Sequence, residues 1–351
     1  MENELSIIVC THRRPNFLLR FLRYFNQLNI KYWLIIADGG KDKLSQEIHA
    51  EIKKNNKIIY KKFYNEYNFK KKEYDISKFF FRRIKCLNLV NTKYVKFICD
   101  DDFIINYTTK KCVEFLNLNK NYIAAGGSYL DFSLNKKYYG KFLDIKNIFL
   151  STSNDSNNKI KRIKHYYKSP TDTFHYVFRT KDLVKIHLIS LKFKNDNIDF
   201  KYHFFENIVF LYGKIKFFKD PLILHESHND WHEGLGRAMI ERLKDPFFLN
   251  NLELFCKHIN NYFKIKNQHL IKNLYYKGII IKEIENIKNK NYYNIINIIE
   301  LVYVLFKIKY KKLKKIFSFK SIDVKKILGS KINVKIINEV KKFQIFLENN
   351  K

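Results

Sequence analysis

The chain has 351 residues, 46% of them hydrophobic and 17% aromatic, which is ample material for packed cores and excludes an intrinsically disordered polymer. The length fits one larger domain with a smaller appendage. A formal net charge of +33 points toward anionic partners, but Lys, Asn, Ile, Phe and Tyr are abundant throughout, and neither a paired Cys/His spacing nor an RNP-type aromatic strand accompanies the charge, so nucleic acid is not the expected partner.

Five cysteines (Cys10, Cys86, Cys99, Cys112 and Cys256) are scattered without a C-x-x-C pair and read as reduced core residues. Polar and charged residues precede the first strand, so no signal segment is expected and the reading is a cytoplasmic protein. The longest apolar stretch, Ile295 to Phe306, is interrupted by Asn297 and Glu300 and falls short of the ~20 residues that cross a bilayer.

Short apolar runs alternate with helical periodicity from the start, the signature of βαβ units around a mainly parallel sheet. Leu5 to Cys10 is the first strand. Pro15 then suits the first turn of a helix whose Phe17, Leu18, Phe21, Leu22, Phe25 and Leu28 share one face. Trp33 to Ala37 is a second strand ending at Asp38-Gly39-Gly40, and Lys57 to Tyr60 a third. A helix through Phe80, Ile84 and Leu87 leads into a strand over Tyr94 to Cys99, which stops at Asp100-Asp101-Asp102. Tyr122 to Gly126 reads as a further strand, and Ser151 to Asn158 as a mobile loop or short linker. Phe174 to Phe178 is a strand, Lys181 to Ile189 a helix, and Lys214 to Phe218 a strand. After about Gly236 the alternation vanishes into helical, Lys- and Asn-rich sequence.

Ligands of open α/β sheets sit outside the carboxyl ends of the strands, where Thr11, Asp38 and Asp100 all fall. Three acids at such a strand end can clamp a hard divalent cation, Mn²⁺ or Mg²⁺, which bridges to phosphate oxygens and offsets the charge of a diphosphate leaving group. The plainer alternative is an acidic turn leading into the next helix.

Leu5-Ser-Ile-Ile-Val-Cys-Thr-His-Arg-Arg-Pro15, Leu34-Ile-Ile-Ala-Asp38-Gly-Gly-Lys-Asp42 and Phe81-Arg-Arg-Ile through Tyr94-Val-Lys-Phe-Ile-Cys-Asp-Asp-Asp102 together resemble, in order and spacing, the GT-A-type nucleotide-sugar glycosyltransferases of the family-2-like group. The resemblance implies an α/β, GT-A-like (Rossmann-like) sheet flanked by helices over residues 1–232, with a helical, basic C-terminal segment over 233–351. It implies that Thr11 and Asp38 hold the base of a nucleoside-diphosphate sugar, and that Arg82 or Arg83 approaches the ribose or phosphates, with Arg13 beside them. Asp100 and Asp102 form the metal pair in one register, Cys99 with Asp101-Asp102 in the other, and Asp102 serves in both. His225, in Pro221-Leu-Ile-Leu-His225-Glu-Ser-His228, stands where the family places a further metal ligand. Glu206 in Phe204-Phe-Glu206-Asn207 matches the segment that carries the catalytic base, although Asn207 replaces its second acid. Asp199 and Asp172 are the alternatives.

The resemblance implies a metal-dependent transfer of a sugar to a hydroxyl of a glycan or lipid-linked acceptor, in bacterial surface polysaccharide synthesis. The lysines that follow Ile295 to Phe306 (Lys307, Lys309, Lys311, Lys312, Lys314 and Lys315) suit either the anionic inner face of a membrane or a bundle helix with its charges in water. Two other readings stay open: a sugar nucleotidyltransferase, disfavoured because Thr11 to Pro15 contains no glycine, and a basic polyanion- or nucleic-acid-binding protein with a degenerate site.

Overall fold

The first strand, β1 (Leu5–Thr11), is buried along its whole length, as a parallel strand covered on both faces demands. A computed structural model describes residues 4–63, 67–68, 73–74, 76–134, 142–147, 152–194, 198–226, 247–280, 342 and 345–346. Pro15 opens α1 (Pro15–Gln27), whose Leu18, Phe21, Leu22, Tyr24 and Phe25 turn inward. There follow β2 (Trp33–Asp38), α2 (Gln46–Lys53) with its N-terminus capped by Ser45, and β3 (Ile58–Lys62). A small antiparallel pair, β4 (Tyr67–Asn68) and β5 (Glu73–Tyr74), precedes α3 (Ile76–Leu87) and β6 (Tyr94–Cys99). Next come β7 (Phe103–Ile104), α4 (Asn106–Leu118), β8 (Tyr122–Leu134), β9 (Phe142–Asn147) and α5 (Lys159–Lys168). The strand β10 (Val177–Arg179), the helices α6 (Thr180–Leu191) and α7 (Ile198–Tyr212), and the strand β11 (Lys214–Glu226) complete the series.

These strands build one sheet in the order β3-β2-β1-β6-β10-β8-β11-β7, with β9 paired to β8. The first four are mutually parallel, β8 and β11 are parallel to each other, and β10 runs against both of its neighbours. The architecture is the mainly parallel, helix-flanked α/β sheet expected from the sequence. Strand limits differ most at three strands: of the expected Phe174–Phe178 only Val177 and Phe178 pair, joined by Arg179, and β8 and β11 each run to 13 residues. The polar run before α5 is not a linker: Asn154 is buried and exchanges backbone hydrogen bonds with Ile215 at 2.8 and 3.1 Å, and Asn158 caps α5 through Ile160 N and Lys161 N.

The chain divides into two compact units, Met1–Trp231 with Ile332–Lys351, and His232–Lys331. Within the first, Phe346 joins Tyr24, Phe103, Ile105, Leu130, Phe132 and Leu224 in an apolar cluster beneath β7. In the second, the helices Phe248–Phe263 and Leu270–Tyr275 pack Phe255 against Tyr275 at 5.7 Å between ring centroids, and one π-helical turn, Tyr276–Ile280, follows. No helix among the described residues is long and apolar enough to cross a membrane. The Ile295 to Lys315 segment lies outside them.

The long β8–β11 pair closes only because β8 carries glycines. A Cβ on Gly127 would stand 2.3 Å from the Asp220 carbonyl oxygen, at the place where the β8–β11 register shifts. Backbone atoms give way poorly, so Gly127→Ala is expected to cost about 1–3 kcal/mol of stability, read as a lower midpoint in chemical denaturation with an unchanged slope.

Candidate functional site

Three parallel strands end side by side, with Thr11 opposite Asp38 and Cys10 opposite Cys99. Arg82, buried on α3, staples two of these ends together: its Nη1 donates to the carbonyl of Thr11 at 2.7 Å and to that of Ala37 at 3.0 Å. Asp38 is also engaged by the fold. Gly40 N donates to its Oδ1 and the Tyr60 hydroxyl to its Oδ2, both at 2.8 Å. Residue 40 approaches so closely that an added Cβ would meet Asp38 Oδ1 at 3.1 Å.

The acidic turn after β6 closes through Asp102 N to the carbonyl of Cys99. Asp100 turns back toward β1, where its Oδ2 accepts from the Thr11 hydroxyl at 2.6 Å and its Oδ1 lies 3.1 Å from Arg14 Nη1. Arg14 Nη2 reaches Asp101 Oδ2 at 2.7 Å, and its guanidinium covers the Phe17 ring at 4.0 Å. Burial, partly countered by Arg14 and reinforced by Asp101, pushes the Asp100 carboxyl up to about 7. The arginine that enters the cluster is thus Arg14. Arg13 sits at φ 56°, in the left-handed region, and its Nε stands 4.0 Å from Asp42 on the other side of the turn.

Asp102 is placed from the far side of the sheet. The β7–β11 pairing sets Phe103 opposite Leu224, so the next residues, Asp102 and His225, meet, and His225 Nδ1 donates to Asp102 Oδ1 at 2.7 Å. Burial lowers the imidazolium, but this hydrogen bond and the charges of Asp102, Asp131 and Asp101 outweigh it and lift His225 to about 9. His225 is therefore a charged partner of Asp102 here, and it must lose that proton before it can ligate a cation. Burial raises Asp102 to about 6 against the pull of His225. On its other side, Asp102 Oδ2 lies 3.3 Å from Nε2 of the buried His175 and accepts no hydrogen bond.

Among the described residues, Cys99, Asp101 and Asp102 offer ligand atoms within 4.8 Å of one another. Burial, aided by the neighbouring carboxylates, holds the Cys99 thiol well above its usual value. The unsatisfied Asp102 Oδ2 and the Asp101 carboxylate fit a hard divalent cation. Asp100 is engaged by Thr11 and Arg14, and Arg14 reaches Asp101 as well.

Glu206 lies in the interior of α7, 1% exposed, rather than at a helix start. Its carboxyl accepts from Thr173 N at 3.1 Å and from Thr173 Oγ1 at 2.9 Å. Burial and then the Asp172 charge push Glu206 well above the carboxylate range. Asn207 is equally occupied, accepting from the Tyr167 hydroxyl and donating to the His203 carbonyl. Asp172 stands partly exposed in the loop that Glu206 supports, with its Oδ1 accepting from Phe174 N at 2.7 Å. Arg83, 2% exposed, is enclosed by aromatic rings on the inner side of α3. Sequence reasoning missed Arg14 and His175. The polar run Thr171-Asp172-Thr173 immediately before a strand was the available signal for the His175 loop.

Fold and site define an α/β protein with an acidic, cation-competent crevice at the carboxyl edge of a parallel sheet. No protein-family model matches the chain, and no curated protein matches it in sequence. Among solved structures it is similar to S. aureus TarS 1–349, at 16% identity over 76% of this chain and 74% of that one with a TM-score of 0.45. It is likewise similar to a longer S. aureus TarS structure, at 14% identity over 80% and 49% of the two chains with a TM-score of 0.45. A structure of S. aureus TarS 1–349 with UDP-GlcNAc gives 15% identity, 80% and 82% coverage and a TM-score of 0.43.

The buried Glu206 carries a pH signature. Its folded pKa is raised, so its stabilising contribution is complete below the unfolded value of ~4.3 and is lost as pH climbs toward the folded value. Glu206→Gln, which keeps an oxygen for Thr173, should remove up to about 1.4 kcal/mol per pH unit from the decline in unfolding free energy between pH 5 and 8. Denaturant titrations of both proteins at four pH values will show the shallower slope. Parallel curves would mean that Glu206 is already ionised in the fold.

Proposed function

We propose that this chain is a glycosyltransferase that moves a sugar from a nucleoside-diphosphate donor to a hydroxyl of a glycan or lipid-linked acceptor, in bacterial surface polysaccharide synthesis. The observation that carries this reading is the Asp100–Asp102 turn: it leaves Asp101 and the open Asp102 oxygen on the edge where Thr11 and Asp38 end their strands. Asp101 and Asp102 would hold Mn²⁺ or Mg²⁺, which would offset the charge of a diphosphate leaving group when bound.

In this reading the donor lies across the ends of β1 and β2, with the base near Thr11 and Asp38 and Arg13 at the rim. Arg14 fixes the acidic turn and Arg82 fixes the strand ends, so both shape the donor site from behind. As the acceptor oxygen bonds to the anomeric carbon, the bond from that carbon to the diphosphate oxygen breaks and the hydroxyl proton passes to a carboxylate. We assign that carboxylate to Asp172, because it is partly exposed beside the crevice, whereas both oxygens of Glu206 are turned to Thr173 in the interior. Glu206 then supports the loop and takes no proton from substrate.

UDP and UDP-GlcNAc, the ligands of the TarS structures, are the first compounds to try in a thermal-shift series of sugar nucleotides with and without Mn²⁺. A donor that binds the folded state raises the melting temperature, and the rise is expected to require Mn²⁺ and to vanish in Asp102→Asn. With the donor so found, Asp172→Asn should lower kcat by ~10²–10⁴ and Glu206→Gln by less than about tenfold. Full turnover in Asp172→Asn would remove it as the base. A shift with no sugar nucleotide, alongside steeply salt-dependent binding to unrelated DNA, would favour the polyanion-binding alternative.

The Ile295 to Lys315 sequence supports a place at an anionic membrane face. Co-sedimentation with phosphatidylglycerol vesicles but not with neutral phosphatidylcholine vesicles is the expected result, and equal behaviour with both would reject it.

A further inference from the structure

Arg82 or Arg83 was expected at the donor, and the Arg83 guanidinium lies in a box of aromatic rings. Its central carbon is 4.5 Å from the ring centroid of Phe97, 4.6 Å from Phe174, 5.4 Å from Phe205 and 5.5 Å from Phe80. The walls come from β6, the loop before β10, α7 and α3. Ring faces are electron-rich, so such a box can hold a cation out of water. Phe174 stacks on Phe97 as well, with centroids 5.8 Å apart and planes 23° from parallel. The residue resting on the guanidinium is also the one whose backbone N–H holds Asp172, so cation, ring and carboxylate form one stack.

We propose that Arg83 is a positioning residue for Asp172: through the Phe174 stack and its own charge, it holds that side chain ready to accept a proton. This rests on the assignment of Asp172 as the base. The charge matters because Asp172 faces Glu206 and Tyr202 from α7, Tyr129 from β8, Tyr176 ahead of β10 and His225 from β11. Burial raises its carboxyl, and the bonds from Tyr202 and Phe174 N oppose that rise together with Arg83 and His225. Arg83 itself faces Cys10 on β1, Cys99 on β6 and His187 on α6; burial and the arginine charge hold His187 well below its usual value, so it adds no second cation. Arg83 is thus the permanent cation of this group, and without it a carboxyl beside Glu206 favours its neutral form.

The test is a ¹³Cγ-aspartate NMR titration of the full chain in a Glu206→Gln background, which leaves one carboxyl of the coupled pair. The Asp172 signal is assigned by its loss in Asp172→Asn. Arg83→Met and Arg83→Gln, two uncharged replacements, are each expected to raise the Asp172 midpoint by about 1 pH unit or more. Arg83→Lys should leave it in place, and UDP affinity should match the wild type in all three. An unmoved midpoint in either uncharged variant that folds overturns the proposal. Weakened UDP binding with an unmoved midpoint would return Arg83 to the donor site. Neither outcome depends on turnover, so failure here is separable from failure of Asp172→Asn to slow the reaction.

Discussion

Three consecutive carboxylates at the end of a buried strand repel one another, and burial makes each of them costly unless it is answered by a donor or a positive charge. The rest of this structure can be read as the set of answers. Asp100 is met by Thr11 and Arg14, Asp101 by Arg14, and Asp102 by His225. Those partners arrive from the β1–α1 turn and from the end of β11. The sheet order is what makes them neighbours: β6 lies between β1 and β10, while β7 folds back onto β11. Burial, which these partners offset only in part, still holds Asp100 and Asp102 up near 7 and 6.

Much of this was legible in the sequence. Continuous apolar runs ending in Thr11, Asp38 and Asp100 marked the three parallel strands, and their common polarity put the three side chains on one edge. His225 was pointed to by the family resemblance alone. What escaped depended on tertiary context. The strand expected over Phe174–Phe178 is there, but it is antiparallel and pairs only over Val177–Arg179, limits that the apolar pattern does not set. Arg82 and Arg83 read as crevice or surface arginines because charged side chains are usually exposed, and only packing reveals that one is consumed by backbone carbonyls and the other by aromatic rings. The positive φ at Arg13 sends it and Arg14 to opposite sides of the turn, so the arginine that meets the acids is the one next to Pro15. Glu206 matched a motif by sequence, but the interior of α7 turns it toward Thr173.

The two adjacent arginines share a logic. Each is buried, and each acts on the site from behind, one by fixing where the backbone of two strands ends and the other by bracing the loop that bears Asp172. The crevice thereby gains rigidity from side chains beneath its surface, which suits a reaction in which groups must be placed before charge develops.

The return of Phe346 to the first unit has a practical corollary. Its ring meets Tyr24 at 5.4 Å and shares a cluster with Phe103, the residue directly after Asp102. A protein shortened to end at residue 231 would lose that plug and leave a void under the strand that carries the acidic turn. Isolating the first unit therefore calls for keeping Phe346 with it.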